Sequence, residues 1–315
     1  DTESITITIT DTAPTVTDTS GSVAETASNA AAVVTVSTTG DTTGLTWAID
    51  SGNTDSIFAI NSGTGAITVS SNTNLDYESD SSYDLVISAT DGVTADTEII
   101  TITITDVAPT VTDADTSLAE ASTYGNVVDL ATTGDQTGLT WSIASGNEDG
   151  DGDGTDAFAI ASGTGIITVA DAGDIDDEKA ADASFALVIQ ATDGNTADTE
   201  TITITITNTA PTVTDNDVNY AESTSCAATV ATIVTTGDTT GLTWSITAGN
   251  EDGDGDGTDA FTIGGSTGII TVADCGDIDD ETAADASFTL TVRATDGVTP
   301  DTESITITIT DTAPT

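Results

Sequence analysis

Histidine and methionine are absent from the 315 residues, and only Lys179 and Arg293 carry positive charge. Without His there is no Ser-His or Cys-His pairing to activate a nucleophile. Against those two cations stand 54 acids, leaving a net charge of −52. Like charge excludes nucleic acid and anionic membrane as natural partners, because no basic patch can form. Aromatic residues make up 4% of the chain, which leaves no aromatic groove to hold a sugar between paired carboxylates, so glycoside hydrolysis has no platform. No run of 18 apolar residues is present to span a membrane, and no Asn-x-Ser/Thr acceptor exists for N-glycosylation. Numbering begins at Asp1, so the expectation is a mature fragment or a window from a longer chain.

What remains is Thr, acid and a regular apolar pattern. Thr accounts for 70 residues and hydrophobic residues for 37%. In Ser4-Ile5-Thr6-Ile7-Thr8-Ile9-Thr10 the apolar residue recurs at every second position, which predicts a strand with Ile on a buried face and Thr on a wet one. The same alternation aligns Leu45, Trp47 and Ile49, and also Tyr83, Leu85, Ile87 and Ala89. It returns in Phe185, Leu187, Ile189 and Ala191, and in Phe288, Leu290, Val292 and Ala294. About seven short strands per hundred residues, divided by Gly, Asp and Asn turns, predict an all-β fold of immunoglobulin-like seven-stranded sandwiches, with Trp47, Trp141 and Trp244 in their cores.

The chain is an internal repeat. The phrase starting at Asp11 returns at Asp106 and Asn208, and its opening returns at Asp311, with offsets of 95, 102 and 103 residues. Each copy carries Ala-Glu (Glu25, Glu120, Glu222), Thr-Gly-Asp (Asp41, Asp135, Asp238) and Gly-Leu-Thr-Trp. An acidic turn follows (Asp76 to Glu78, Asp176 to Glu178, Asp279 to Glu281), then Ala-Thr-Asp-Gly (Asp91, Asp193, Asp296) and an alternating Thr-Ile strand. These phases divide the chain into units at 13–107, 108–209 and 210–312, arranged end to end, with 313–315 opening a further repeat. Residues 1–15 are identical to residues 301–315. Residues 1–12 are therefore expected to be the last strand of a preceding repeat, or a donor strand that pairs into a neighbouring molecule.

Copies two and three contain Asp149-Gly-Asp151-Gly-Asp153-Gly and Asp252-Gly-Asp254-Gly-Asp256-Gly where copy one has only Asn53-Thr54-Asp55. Acids at positions 1, 3 and 5 with Gly at 6 match the first half of an EF-hand loop, in which Gly permits the turn that gathers the oxygens. The twelfth-position glutamate is missing, and Asp156 and Asp259 are the substitutes within the loop. Calcium is the expected ion. Most other acids, including Asp18, Asp55, Asp96 and Asp198, are expected to solvate the surface.

The ordered motifs resemble the cadherin-like repeat family. The resemblance spans all three units and is carried by Glu25, the Leu75-Asp76-Tyr77-Glu78 turn, Tyr83-x-Leu85-x-Ile87-x-Ala89-x-Asp91 and Asp106-x-x-Pro109. It implies calcium at the junctions between units. Glu25, Asp76, Glu78 and Asp106 would meet Asp135 and Asp193 at the first junction. Glu120, Asp176, Glu178 and Asn208 would meet Asp238 and Asp296 at the second. Asp11, Asp41 and Asp91 occupy the same places at the start of the first unit, while Glu222, Asp279, Glu281 and Asp311 would await a fourth. The shortened exit linker, the single Asp of Thr-Gly-Asp and Asn208 depart from the family pattern and imply one or two ions per junction. If Glu222 and Asp279 share such a site, Cys226 and Cys275 are neighbours on adjacent strands and form a disulfide, the alternative being two small buried thiols. The resemblance further implies a non-catalytic, extracellular, cell-surface extender in an adhesin or fibre, whose partners are further copies of the repeat and homotypic lateral contacts. The alternative is a self-assembling filament or surface-layer subunit.

Overall fold

A computed structural model describes residues 2–120, 125–179, 183–222, 225–279 and 286–311. The alternating sequences do form strands. In the first unit these are β1 (Thr15–Val16), β2 (Ser20–Ala24), β3 (Ala32–Thr35), β4 (Thr38–Thr39), β5 (Thr46–Ser51), β6 (Phe58–Ile60), β7 (Ala66–Val69), β8 (Ser82–Thr90) and β9 (Ala95–Thr105). One sheet has the order β2-β9-β8-β5 and the facing sheet β3-β7-β6, while β1 and β4 form a short ladder at one end. β2 runs parallel to β9, with Val23 opposite Ile104, and the remaining pairs are antiparallel. The second and third units repeat this order strand for strand.

The two-residue period decides which face is buried. Tyr83, Leu85, Ile87 and Ala89 point inward from β8 and meet Ile100, Ile102 and Ile104 of β9 in one core. Their counterparts build separate cores from Val111 to Ile206 and from Val213 to Ile309. The two sheets of each unit are joined by one edge-to-face aromatic pair, Phe58 with Tyr83 at 5.4 Å, Phe158 with Phe185 at 5.0 Å and Phe261 with Phe288 at 5.0 Å. Trp47 and Trp141 are buried, and Trp244 is half-buried against its core. Each Trp needs a glycine beneath it. A Cβ on Gly165 (φ +71°) would lie 2.8 Å from Trp141 Cε2, so both the backbone angle and the indole exclude a side chain there.

Residues 2–10 lie outside the sheets of the first unit. They form no strand, and Ile5, Ile7 and Ile9 are 86, 83 and 91% exposed. The identical residues 301–310 lie within the strand Pro300–Thr310, where Ile305, Ile307 and Ile309 are buried. That strand sits between Val218–Ala221 and Ser287–Thr295. Alternation alone does not make a strand, because backbone groups and apolar side chains need neighbours to pair with.

Two acids expected only to solvate the surface have a structural task instead. Asp96 Oδ2 accepts the N–H of Val16 at 2.8 Å, and Asp198 Oδ2 accepts that of Val111 at 2.8 Å. Asp301 repeats the contact with Val213 at 2.7 Å. Each fastens the first short strand of its unit to the last long one.

Candidate metal centre

At the first junction Glu25 is the fixed point. It is buried at the end of β2, where Oε2 accepts the N–H of Tyr77 at 2.8 Å and Oε1 accepts that of Val107 at 2.6 Å. The Val107 carbonyl then accepts the N–H of Asp135 at 3.3 Å, so the linker is bound to both units. The second junction repeats the relay, with Thr209 N–H donating to Glu120 at 2.5 Å and Thr209 carbonyl accepting from Asp238 at 3.3 Å.

Around this relay the acids converge. Oxygens of Glu25, Glu78 and Asp135 lie within 4.8 Å of one another, as do those of Glu78, Asp106 and Asp193. Glu78 therefore belongs to two triads, each drawing acids from both units. It lines a groove of about 470 Å³ with Tyr77, Ser81, Asp193, Gly194 and Asn195. Asp135 and Asp193 are buried, and Asp106 Oδ1 and Asp135 Oδ2 are buried oxygens with no hydrogen-bond partner. Asp76 is occupied locally, capping its own turn by accepting from Glu78 N, Ser79 N and Ser79 Oγ.

Crowding shows in protonation. Desolvation, together with Glu25, Asp193 and Asp106, raises Glu78 from 4.5 to about 7. Burial likewise raises Glu120 to about 7, and burial with a hydrogen bond to Asp176 raises Glu178 to about 8. Asp193 moves the other way. Against burial, which raises it, the N–H groups of Asn195 and Thr196 hold it below the usual range. Asp296 is likewise held low, against burial, by Thr299 and Val298 N–H.

The second junction is built differently. Glu120, Asp177 and Glu178 form a triad there, and Asp177 lies at a position for which the repeat pattern suggests no role, since copy one has Tyr77 there. Asn208 Nδ2 donates to Glu178 Oε1 at 3.2 Å and to Asp296 Oδ2 at 3.3 Å, and its carbonyl oxygen accepts from Thr299 at 3.1 Å. A neutral amide thus bridges acids of the two units where the first junction has Asp106. Glu178 Oε2, Asp177 Oδ1 and Asp238 Oδ2 are buried without partners. Asp176 is buried beside Lys179, at 3.4 Å.

At the start of the first unit, Asp11, Asp41 and Asp91 also gather within 4.8 Å. At the far end of the third, Glu222 and Asp279 are half-buried, Asp311 is exposed and Glu281 lies outside the described residues. Cys226 and Cys275 form a disulfide with Cα atoms 5.4 Å apart.

The Gly-Asp loops hang from an asparagine clamp shared by all units. Asn53 exchanges hydrogen bonds of 2.7 and 3.0 Å with the backbone of Phe58, and Asn147 and Asn250 do the same with Phe158 and Phe261, across 11 residues in place of 5. Within the longer loop, Asp149, Asp151 and Asp153 oxygens lie within 4.8 Å of one another. Asp149 accepts from the N–H groups of Gly152, Asp153 and Gly154, and Asp252 accepts from those of Gly255, Asp256 and Gly257. Asp254 and Asp256 accept further loop N–H groups, as Asp151 and Asp153 do. Asp156 and Asp259 are turned to the clamp, 3.4 Å from Asn147 and Asn250.

The donors at both junctions are oxygens, and several are buried without a proton donor. A hard divalent cation with six to eight oxygen ligands fits such a set. Two carboxylates about 4 Å apart repel by roughly 4 kcal/mol at an effective dielectric of about 20, a large part of the roughly 5–15 kcal/mol that stabilises a domain.

Residues 19–105 match the family model of the cadherin domain, and the second and third units repeat its strand order and motifs. The first unit is a cadherin-like domain, and the other two are built on the same strand order. Similar solved structures include Drosophila N-cadherin EC1-3, at 17% identity and TM-score 0.38 over 95% of this chain and 99% of that one. Mouse Cadherin-23 EC22-24 has 17% identity and TM-score 0.33 over 96% and 100%. Protocadherin Gamma B2 extracellular cadherin domains 1-5 has 20% identity and TM-score 0.33 over 96% of this chain, which spans 60% of that one. No curated protein matches this chain.

Proposed function

We propose that the cadherin-like tandem is a non-catalytic, extracellular extender in an adhesin or surface fibre, stiffened by calcium at its junctions. The observation that carries this reading is Glu78, shared by two triads whose members come from both sides of the first junction. With calcium, the acids of the two units have one common partner and the junction is held in one arrangement. Without it, repulsion among Glu25, Glu78, Asp106, Asp135 and Asp193 opposes that arrangement. One or two ions per junction suffice for the acids present. Further copies of the repeat, in a longer chain or in lateral contact, are the partners this role requires. The Cys226–Cys275 disulfide supports an oxidising setting outside the cell. Small-angle scattering in calcium and in chelator tests the reading. A longer maximum dimension in calcium is expected, and an unchanged one would overturn it.

A second reading is favoured by residues 2–10, whose exposed Ile5, Ile7 and Ile9 match a strand that is fully paired in the third unit. Added to the sheet of a neighbouring molecule, they would make the chain a filament subunit. Sedimentation of the chain with and without residues 1–10 separates the two. Loss of assembly on deletion supports the filament, and a monomer in both cases supports the extender alone.

A further inference from the structure

The clusters at the first junction draw on two units, but the second and third units each hold another cluster that does not. Asp174 is fully buried. Its Oδ1 accepts the N–H groups of Gly150 and Asp151, both at 2.9 Å, which turns the carboxylate toward the Gly-Asp loop, and its Oδ2 is buried with no partner. Asp277 repeats every feature, with Oδ1 accepting from Gly253 at 2.9 Å and Asp254 at 3.0 Å and with Oδ2 unpartnered. A buried carboxylate oxygen that faces other acids and has no donor is costly. A divalent cation is the partner that removes this cost.

Two further acids close on the same place. A Cβ on Gly173 would lie 2.7 Å from Asp151 Oδ2 and 3.2 Å from Asp171 Oδ1, so both carboxylates flank one residue that has no side chain. At Gly276 the distances are 2.6 Å to Asp254 and 3.2 Å to Asp274. The first unit has Ser71 and Asn74 at the matching positions and lacks the Gly-Asp loop. The loop acids and the two acids beneath them are present together in the second and third units and missing together in the first, as members of one site would be.

The geometry points to a divalent-cation site inside each of the second and third units, formed by the Gly-Asp loop with Asp171 and Asp174, and by its counterpart with Asp274 and Asp277. The donors are all oxygens and include at least four carboxylates, which selects calcium over softer metals. The ion joins residues 148–157 to the turn that carries Ile175 into the core, and so fixes the loop between Ser145 and Phe158. No ligand crosses between units, so the site does not depend on calcium at the junctions.

Calcium stoichiometry of the full chain, by titration calorimetry with calcium chloride, tests the inference. Asp174→Asn with Asp277→Asn keeps the acceptor for the loop N–H groups and removes the charge. Asp151→Asn with Asp254→Asn changes only exposed residues and keeps the fold if the first pair does not. Each pair is expected to lose two bound ions per chain while junction binding persists. Unchanged stoichiometry in the Asp151/Asp254 pair overturns the site, and a loss there with none in a folded Asp174/Asp277 pair overturns the buried ligand.

Discussion

Val107 N–H donates to Glu25 Oε1 at 2.6 Å, and the carbonyl of the same Val107 accepts the N–H of Asp135 in the next unit at 3.3 Å. One buried carboxylate therefore orients the linker before any ion is considered. Glu25→Ala leaves the N–H groups of Tyr77 and Val107 without their acceptor, at a cost of about 2–4 kcal/mol. Urea unfolding in calcium, followed by Trp47 fluorescence with Trp141→Phe and Trp244→Phe, is expected to show this loss. In chelator the loss is smaller, because the substitution also removes an acid from a repelling triad.

Protonation of the junctions has a definite sign. Glu78, Glu120 and Glu178 are raised from 4.5 to about 7, 7 and 8. Between 4.5 and 8 the folded, ion-free chain holds protons that the unfolded chain has released, so its stability falls as pH rises. Asp91, Asp193 and Asp296 are shifted downward, and their effect lies below the ordinary 3.8, outside this window. In chelator the melting temperature is expected to fall from pH 5 to pH 8, less steeply in Glu78→Gln with Glu178→Gln. A flat or rising profile in the unmodified chain would contradict the crowding of these acids. Calcium affinity is expected to weaken below pH 7, because the ion then competes with protons.

Asn208→Asp replaces an amide that donates to Glu178 and Asp296 with a third carboxylate. Calcium binding at the second junction is expected to tighten by roughly tenfold, since affinity follows ligand charge. The ion-free melting temperature is expected to drop. Calorimetry and thermal melts read both, and movement of both quantities in the same direction would show that Asn208 does not stand at the ion site.

Asp96→Ala removes the acceptor for Val16 N–H and is expected to cost about 1 kcal/mol. Asp18→Ala, at an exposed position in the same unit, is expected to stay within about 0.5 kcal/mol. Paired urea titrations compare them, and equal effects would show the β1 contact to be immaterial.

Much of this was legible in residue order. The Tyr83-x-Leu85-x-Ile87-x-Ala89 alternation predicted a buried face, and that face is the core of β8. Fold and core follow from local period because side chains on a strand alternate whatever the distant neighbours are. Contacts across 80 or more residues are different. Asp96 and Asp198 looked like surface acids because Val16 and Val111, their partners, are 80 and 87 residues away. Asp174 and Asp277 escaped notice for a similar reason, since their meaning depends on a loop more than 20 residues earlier folding over them. Residues 2–10 show the limit from the other side, where a strand pattern without sheet neighbours remains exposed.

The most direct test is a distance measurement across the first junction. Spin labels on Thr64→Cys and Thr164→Cys occupy exposed positions in adjacent units, and the native cysteines are paired in the disulfide. Electron–electron resonance is expected to give one narrow distance distribution in calcium and a broad one in chelator, with Glu78→Gln broad in both. The same distribution with and without calcium in the unmodified chain would contradict a calcium-stiffened junction.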